Sequence, residues 1–247
     1  DGDVDHGEAS SFALMDFERT EGKTLACCAR LESDVTIEAE IDEEPDAESI
    51  PVKDFPGTVT RIETLTPTIK GIFITLDEAI HFQAGQYINL DIPGLGISRA
   101  FSLANAPGGG REVELNVRIV PGGVGTGYLH EMLSIGDRLS FSGPYGRFFV
   151  RKSAKVPLIF MAGGSGLSSP RSMILDLLGE GFDLPITLVY GQRSRAELYY
   201  HDEFLALAER HPNFRYVPAL SDEAADSDWQ GFRGYVHDAA KAHFDND

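Results

Sequence analysis

Cysteine is nearly absent: the 247 residues hold two, Cys27 and Cys28, and these are adjacent, a spacing that rarely allows a mutual disulfide. A disulfide-stapled secreted scaffold is therefore excluded, and a reducing, cytoplasmic setting is the expectation. No apolar run approaches the ~20 residues that a membrane-crossing helix needs. The opening DGDVDHGEAS lacks the basic, apolar and small-residue order of an export leader. Basic side chains are scarce as well. Against 39 Asp and Glu there are 21 Lys and Arg, a formal charge of -18. Such a charge repels phosphate backbones and anionic lipid, so neither nucleic acid nor membrane is an expected partner, although an acidic face could steer a basic protein.

What remains is ordinary globular material, 42% hydrophobic and 24% charged, in a chain long enough for two compact units. In the first segment, 1–46, SSFALMDFERTEG reads as a helix with Phe12, Met15 and Phe17 on its apolar side and Gly22 ending it. DVTIEAEI, residues 34–41, alternates with the two-residue period of a half-buried strand. IDEEPDAESIP then concentrates acid and proline as a linker. Over 47–152 come six short strand patterns: GTVTRIETL, IKGIFITL, QYINLDIP, RAFSLAN, EVELNVRIV and DRLSFSG. Their spacing predicts a small antiparallel six-stranded β-barrel, interrupted by one short helix at GTGYLHEML with Thr126 near its start. From 153 to 247 the texture changes to strand PLIFMAGG, helix RSMILDLLGEG, strand ITLVYG, helix HDEFLALAERH and strand FRYVPAL, the order of an α/β domain with a parallel sheet.

Two stretches carry candidate chemistry. MAGGSGLSSP, at 161–170, is a glycine-rich turn between a strand and a helix. Its free amides and helix dipole suit a phosphate group, and a tight turn that needs positive backbone angles would use the same glycines. RAFS places Arg99 and Phe101 on one face of a strand and Ser102 on the other. These types suit a planar cofactor with a pyrophosphate, and they also suit an ordinary barrel strand.

In the order RAFS, LNVRIV, GGVGTGYL, GPYGRF, GGSGLSSP, the chain resembles the ferredoxin-NADP reductase superfamily, and within it the reductase components of bacterial phenol hydroxylases and related multicomponent monooxygenases. The resemblance spans the whole chain, including YGQRSRAELYYHDEF. It implies an FAD-binding barrel at 47–152, an NAD-binding α/β domain at 153–247 and a remnant of a β-grasp [2Fe-2S] ferredoxin domain at 1–46. It also implies roles. Arg99 would bind the flavin pyrophosphate, with Ala100 beside it, while Phe101 lies against the isoalloxazine and Ser102 acts as the catalytic contact near flavin N5. Asn116, Val117 and Arg118 would line the diphosphate and adenine side, and Gly123, Val124, Gly125 and Thr126 would hold the pyrophosphate. Gly164, Ser165 and Gly166 would cradle the nicotinamide dinucleotide. Where NADPH-using relatives place a Ser-Arg pair, this chain has Ser221 followed by Asp222, whose carboxylate would repel an extra phosphate; Arg193 and Arg195 could reach the same region. NADH and FAD are the expected cofactors, and an oxygenase or hydroxylase component is the expected protein partner.

Two departures from the family pattern shape these expectations. The C-x4-C-x2-C loop of a plant-type cluster is missing, which leaves Cys27 as the one matching ligand of an incomplete site and as an idle, buried thiol. The Cys-Gly-Pro motif and terminal aromatic of the family are missing too, so a fragment with a shortened, apolar sheet edge is expected, its [2Fe-2S] centre confined to the full-length parent. Two other readings stay open: a reductase of a ring-hydroxylating dioxygenase, which shares most of these motifs, and a non-catalytic docking fragment using its acidic face.

Overall fold

The computed structural model describes residues 2–8, 13–38 and 44–244. The chain divides into two compact units, Asp1–Glu44 and Pro45–Asp247. In the first, β1 (Val4–Asp5) pairs antiparallel with β2 (Arg30–Leu31), and α1 (Asp16–Thr20) lies between them in sequence. Here the structure departs from expectation. The helix is only five residues long, and Met15 and Phe17 are 51% and 58% exposed, whereas Leu14 is buried. A single turn is too short to carry an apolar stripe inward. Phe12 lies outside the described residues. Residues 34–38 form no strand and Ile37 is exposed, while 39–41 lie outside the described residues. Alternation supplies a face, but a strand also needs neighbouring backbone groups to pair with, and among the described residues none pairs there.

The second unit begins with the six expected strands: β3 (Lys53–Thr64), β4 (Ile69–Leu76), β5 (Tyr87–Ile92), β6 (Ile97–Ser102), β7 (Glu112–Arg118) and β8 (Arg138–Tyr145). They form one antiparallel sheet in the order β6-β5-β8-β3-β4-β7. Its edges meet where Leu103 bridges to Leu115 and the Ala104 amide donates to the Glu114 carbonyl at 2.9 Å, so the sheet curls into a half-barrel. Alternate residues fill it: Val59, Ile72, Ile74, Ile88, Leu90, Val113, Leu115, Val117 and Phe141 form one buried cluster. The short helix α2 (Val124–Glu131) lies beside the edge strands β6 and β7. Lys70 Nζ donates to the His130 carbonyl at 2.5 Å and His130 Nε2 bonds the Val117 carbonyl at 2.8 Å, anchoring its last turn.

The remaining residues alternate strand and helix, as the apolar runs predict: β9 (Leu158–Gly163), a 3-10 turn at Gly164–Leu167, α3 (Ser168–Gly179), β10 (Ile186–Gln192), α4 (His201–Arg210), β11 (Phe214–Leu220), β12 (Phe232–Arg233) and α5 (Val236–Phe244). The sheet is parallel, in the order β12-β11-β10-β9. Ile186, Leu188 and Tyr190 face Ile174, Leu177 of α3 and Phe204, Leu207 of α4. Val189 and Ala219 point the opposite way, onto Ala239 and Val236 of α5. At the free edge, β9 leaves Ile159 and Met161 about half exposed, at 53% and 49%.

Candidate functional site

On β6 the pairing Ile88 with Phe101, and Tyr87 with Ser102, fixes which side each residue takes. Directly paired residues share a face, so Phe101 turns toward Ile88, half-buried against the barrel core, while Ala100 and Ser102 sit on the outer face with Asn89 and Tyr87. The Tyr87 ring stacks on Tyr145 at 5.6 Å, next to Ser102. Arg99 is exposed, its Nη1 donating to the Ser98 carbonyl at 2.8 Å, and its stem lies against the start of α2. Added at Gly125, a Cβ would come within 3.2 Å of Arg99 Cγ. A glycine there lets the arginine reach the helix start, where the first-turn amides have no intrahelical acceptor. Thr126 Oγ1 accepts from the Val120 amide at 3.1 Å and shapes the Pro-Gly-Gly turn that leads in. A cation, free amides and an unobstructed backbone at one place make an anion cradle.

The second lobe repeats this chemistry. At the end of β9, Gly164 adopts φ +56, and a Cβ on it would lie 3.2 Å from Arg118 Nη1, an arginine from the end of β7. Ser165 and Gly166 complete the turn into α3, with the Ser165 carbonyl accepting from Ser168 Oγ at 3.3 Å. From this turn a cleft of about 400 Å³ opens between the lobes, lined by Thr68, Arg118 and Gly164 at one end and by Arg193, Ser221 and Asp222 at the other. Arg193 Nη2 and the Asp222 carboxylate are 3.2 Å apart, both well exposed. The two cradles suit two pyrophosphates: each offers a guanidinium, a helix start and a glycine whose side chain would obstruct.

The LNVRIV residues separate into three surroundings. Val117 is fully buried in the barrel core, and Arg118 reaches the cleft at Gly164. Asn116 is buried against the second lobe, where its Nδ2 donates to Glu114 at 2.9 Å. Gly123 precedes α2, and Val124 is 62% exposed beside Arg99's cradle. Sequence reasoning missed Thr68, Gln192, Glu197 and Tyr235 in the cleft. Thr66 and Thr68 both donate to Glu197, at 3.0 and 2.6 Å, across 131 and 129 residues, a separation no local pattern signals. Cys27 is exposed, contrary to the buried thiol expected, and its Sγ lies 3.7 Å from that of Cys28. Among the described residues no group of three or more His, Cys, Asp or Glu could hold a metal ion, so a two-iron cluster, which takes four ligands, does not fit them.

Both lobes have counterparts among known oxidoreductases. An oxidoreductase FAD-binding domain model matches residues 56–150, and an oxidoreductase NAD-binding domain model matches residues 160–247. The reductase component DmpP of phenol 2-monooxygenase from Pseudomonas sp. (strain CF600) is 59% identical over 245 residues, covering 99% of this chain and 69% of the relative. The phenol hydroxylase P5 protein of Acinetobacter pittii is 54% identical over 246 residues, covering 100% and 70%. Among solved structures, the Amycolatopsis cytochrome P450 reductase GcoB superposes with a TM-score of 0.84 at 33% identity, over 100% of this chain and 74% of that one.

Proposed function

This chain belongs to the family of FAD- and NAD-binding oxidoreductases that includes the phenol hydroxylase reductase components, and from that premise we propose that it carries the NADH-to-flavin half of an oxygenase's electron supply. A bound flavin supplies the chemistry, accepting two electrons from a reduced nicotinamide and releasing them one at a time. The protein's share is placement. Arg99 and the first-turn amides of α2 neutralise the FAD pyrophosphate, while the 164–166 turn, the start of α3 and Arg118 take that of NADH. Ser102, on the outer face of β6 beside the Tyr87–Tyr145 stack, would offer its hydroxyl at the flavin's reactive edge, whereas Phe101 packs on the opposite face against the barrel core. At the far end of the cleft, Asp222 repels a ribose phosphate and accepts a hydrogen bond from a free ribose hydroxyl, which favours NADH.

One observation supports this reading above the others: a guanidinium laid against a glycine at a helix start occurs once in each lobe, with a cleft running from the second. A docking module gives no reason for either cradle. Electrons would leave singly for an iron-sulfur centre that the described residues do not form, and then for an oxygenase acting on a phenol-type aromatic, the component that the relatives' names point to. The test is to titrate the purified chain with FAD, remove oxygen and add NADH. Quenching of flavin fluorescence followed by bleaching of the yellow absorbance is expected; a chain that never takes up FAD contradicts the proposal.

A further inference from the structure

Between the two cradles lies a buried polar cluster that neither uses. Arg171, in the first turn of α3, is 9% exposed, yet its donors are engaged on several sides. Nη1 donates to Glu114 of β7 at 2.9 Å and to the Ala104 carbonyl at 2.8 Å; Nε and Nη2 donate to the two oxygens of Glu203 at 2.6 and 2.9 Å. The guanidinium carbon stands 4.0 Å over the Tyr200 ring. Glu114 also accepts from the Tyr200 hydroxyl and, at 2.9 Å, from Asn116, whose Oδ1 takes a bond from Ser168 Oγ at 3.3 Å. Beside it, the Tyr199 hydroxyl donates to the Gly164 carbonyl at 3.2 Å, and Gln192 Nε2 approaches the same oxygen at 3.4 Å.

Burial opposes the charge on Arg171, but the bond to Glu203 and the charge of Glu114 outweigh it and hold the guanidinium protonated. Burial, reinforced by neighbouring groups including Glu114, pushes both phenols far above their usual range, so each stays a donor. Taking such charges out of water is expensive, and apolar residues of the same volume would commonly stabilise as well or better. The cluster therefore contributes geometry more than stability. Its peculiar feature is the pair of adjacent tyrosines: Tyr200 has φ +58, the left-handed region that a bulky side chain rarely adopts, and this sends two consecutive hydroxyls to opposite lobes. Tyr200 ties to the barrel strand, and Tyr199 ties to the nucleotide turn. Ala104, gripped by Arg171, stands two residues from Ser102.

We infer that Tyr199 and Tyr200, with Arg171 and Glu114, are positioning residues that set the offset between the flavin edge and the nicotinamide turn. The inference rests on the reductase reading above and adds to it which residues align the two cofactors. Displacing reacting partners by a fraction of an ångström to 1 Å costs up to about a hundredfold in rate while leaving each ligand bound.

Its test uses Tyr199→Phe, which removes one hydroxyl and leaves no buried charge unpaired, and Glu114→Gln as the ionic counterpart. In the FAD-loaded chain, anaerobic mixing with NADH is expected to show flavin reduction slowed by about tenfold to a hundredfold. FAD affinity should stay within about twofold of the parent, and the charge-transfer absorbance of the reduced nicotinamide–flavin pair should be weakened or shifted. Amide exchange across residues 163–168 in the cofactor-free Tyr199→Phe chain should quicken. A folded Tyr199→Phe that keeps the parental reduction rate and charge-transfer band overturns the inference, whatever Glu114→Gln does. A parent chain that binds no FAD overturns the reductase reading instead.

Discussion

At the far end of the cleft a single carboxylate, that of Asp222, is proposed to decide between two coenzymes that differ by one phosphate. Asp222 stands 3.2 Å from Arg193, both exposed, so the pair itself contributes little stability. Its effect is on the ligand: a dianionic phosphate within ~4 Å of a carboxylate is disfavoured by about 1 kcal/mol or more in solvated surroundings. Replacing Asp222 by Ser removes that repulsion and frees Arg193 to pair with the phosphate. The ratio of kcat/KM for NADPH to that for NADH is then expected to rise about tenfold, measured by steady-state oxidation with an artificial acceptor. An unchanged ratio would place coenzyme choice elsewhere. At the opposite end Gly164 shows a second kind of single-residue control, in which the missing Cβ both admits a left-handed backbone and leaves room for Arg118.

Among the elements, α3 carries most of the connection between chemistry and core. Its first turn meets the nucleotide turn and holds Arg171, while Met173, Ile174, Leu177 and Leu178 are buried behind it. Leu177→Ala is expected to cost about 2–5 kcal/mol, lowering the thermal midpoint by about 4–20 °C for a unit of this size; circular dichroism on heating checks this. The start of α4 is sensitive to acid. Burial pushes the His201 imidazole below its ordinary pKa, so the folded state favours the neutral ring while the unfolded chain takes up a proton near pH ~6.5. Stability from this site is full above that pH and is lost as pH falls through it toward the lower folded value. His201→Gln should therefore flatten the dependence of melting temperature on pH between ~7 and ~5, and an unaltered slope would contradict the assignment.

The same elements show what the sequence makes legible. The barrel strands and the βα alternation follow from period and punctuation, because each strand's burial is decided by its own neighbours. The glycine turns at 123–126 and 164–166 are visible as glycine-rich segments before a helix, but a plain tight turn gives the same pattern, and their link to dinucleotides comes from the family resemblance. By contrast, β12 is two residues long and has no pattern to display, and residues 34–38 display a pattern without a partner. Nothing in EVELNVRIV signals that Glu114 is covered by Arg171, 57 residues later. Asn116 is legible as a polar strand residue, while the direction it faces depends on Tyr200.

Over the whole molecule, charge is divided unevenly. Fourteen of the 39 acidic residues but only three of the 21 basic ones fall within residues 1–44. The larger unit is thus nearer to neutral, which suits the proposed attraction of two anionic dinucleotides through Arg99 and Arg118. The two cradles are expected to be separate, each serving one ligand. Calorimetric titration of the parent, Arg99→Ala and Gly164→Ala chains with FAD and with NADH tests this most directly. Arg99→Ala should lose FAD affinity by about tenfold or more, the worth of a charge-assisted hydrogen bond, and keep its NADH affinity. Gly164→Ala should do the reverse, through backbone strain and the crowding of Arg118. Equal losses of both ligands in both variants, or no loss in either, would contradict the assignment of one cradle to each cofactor.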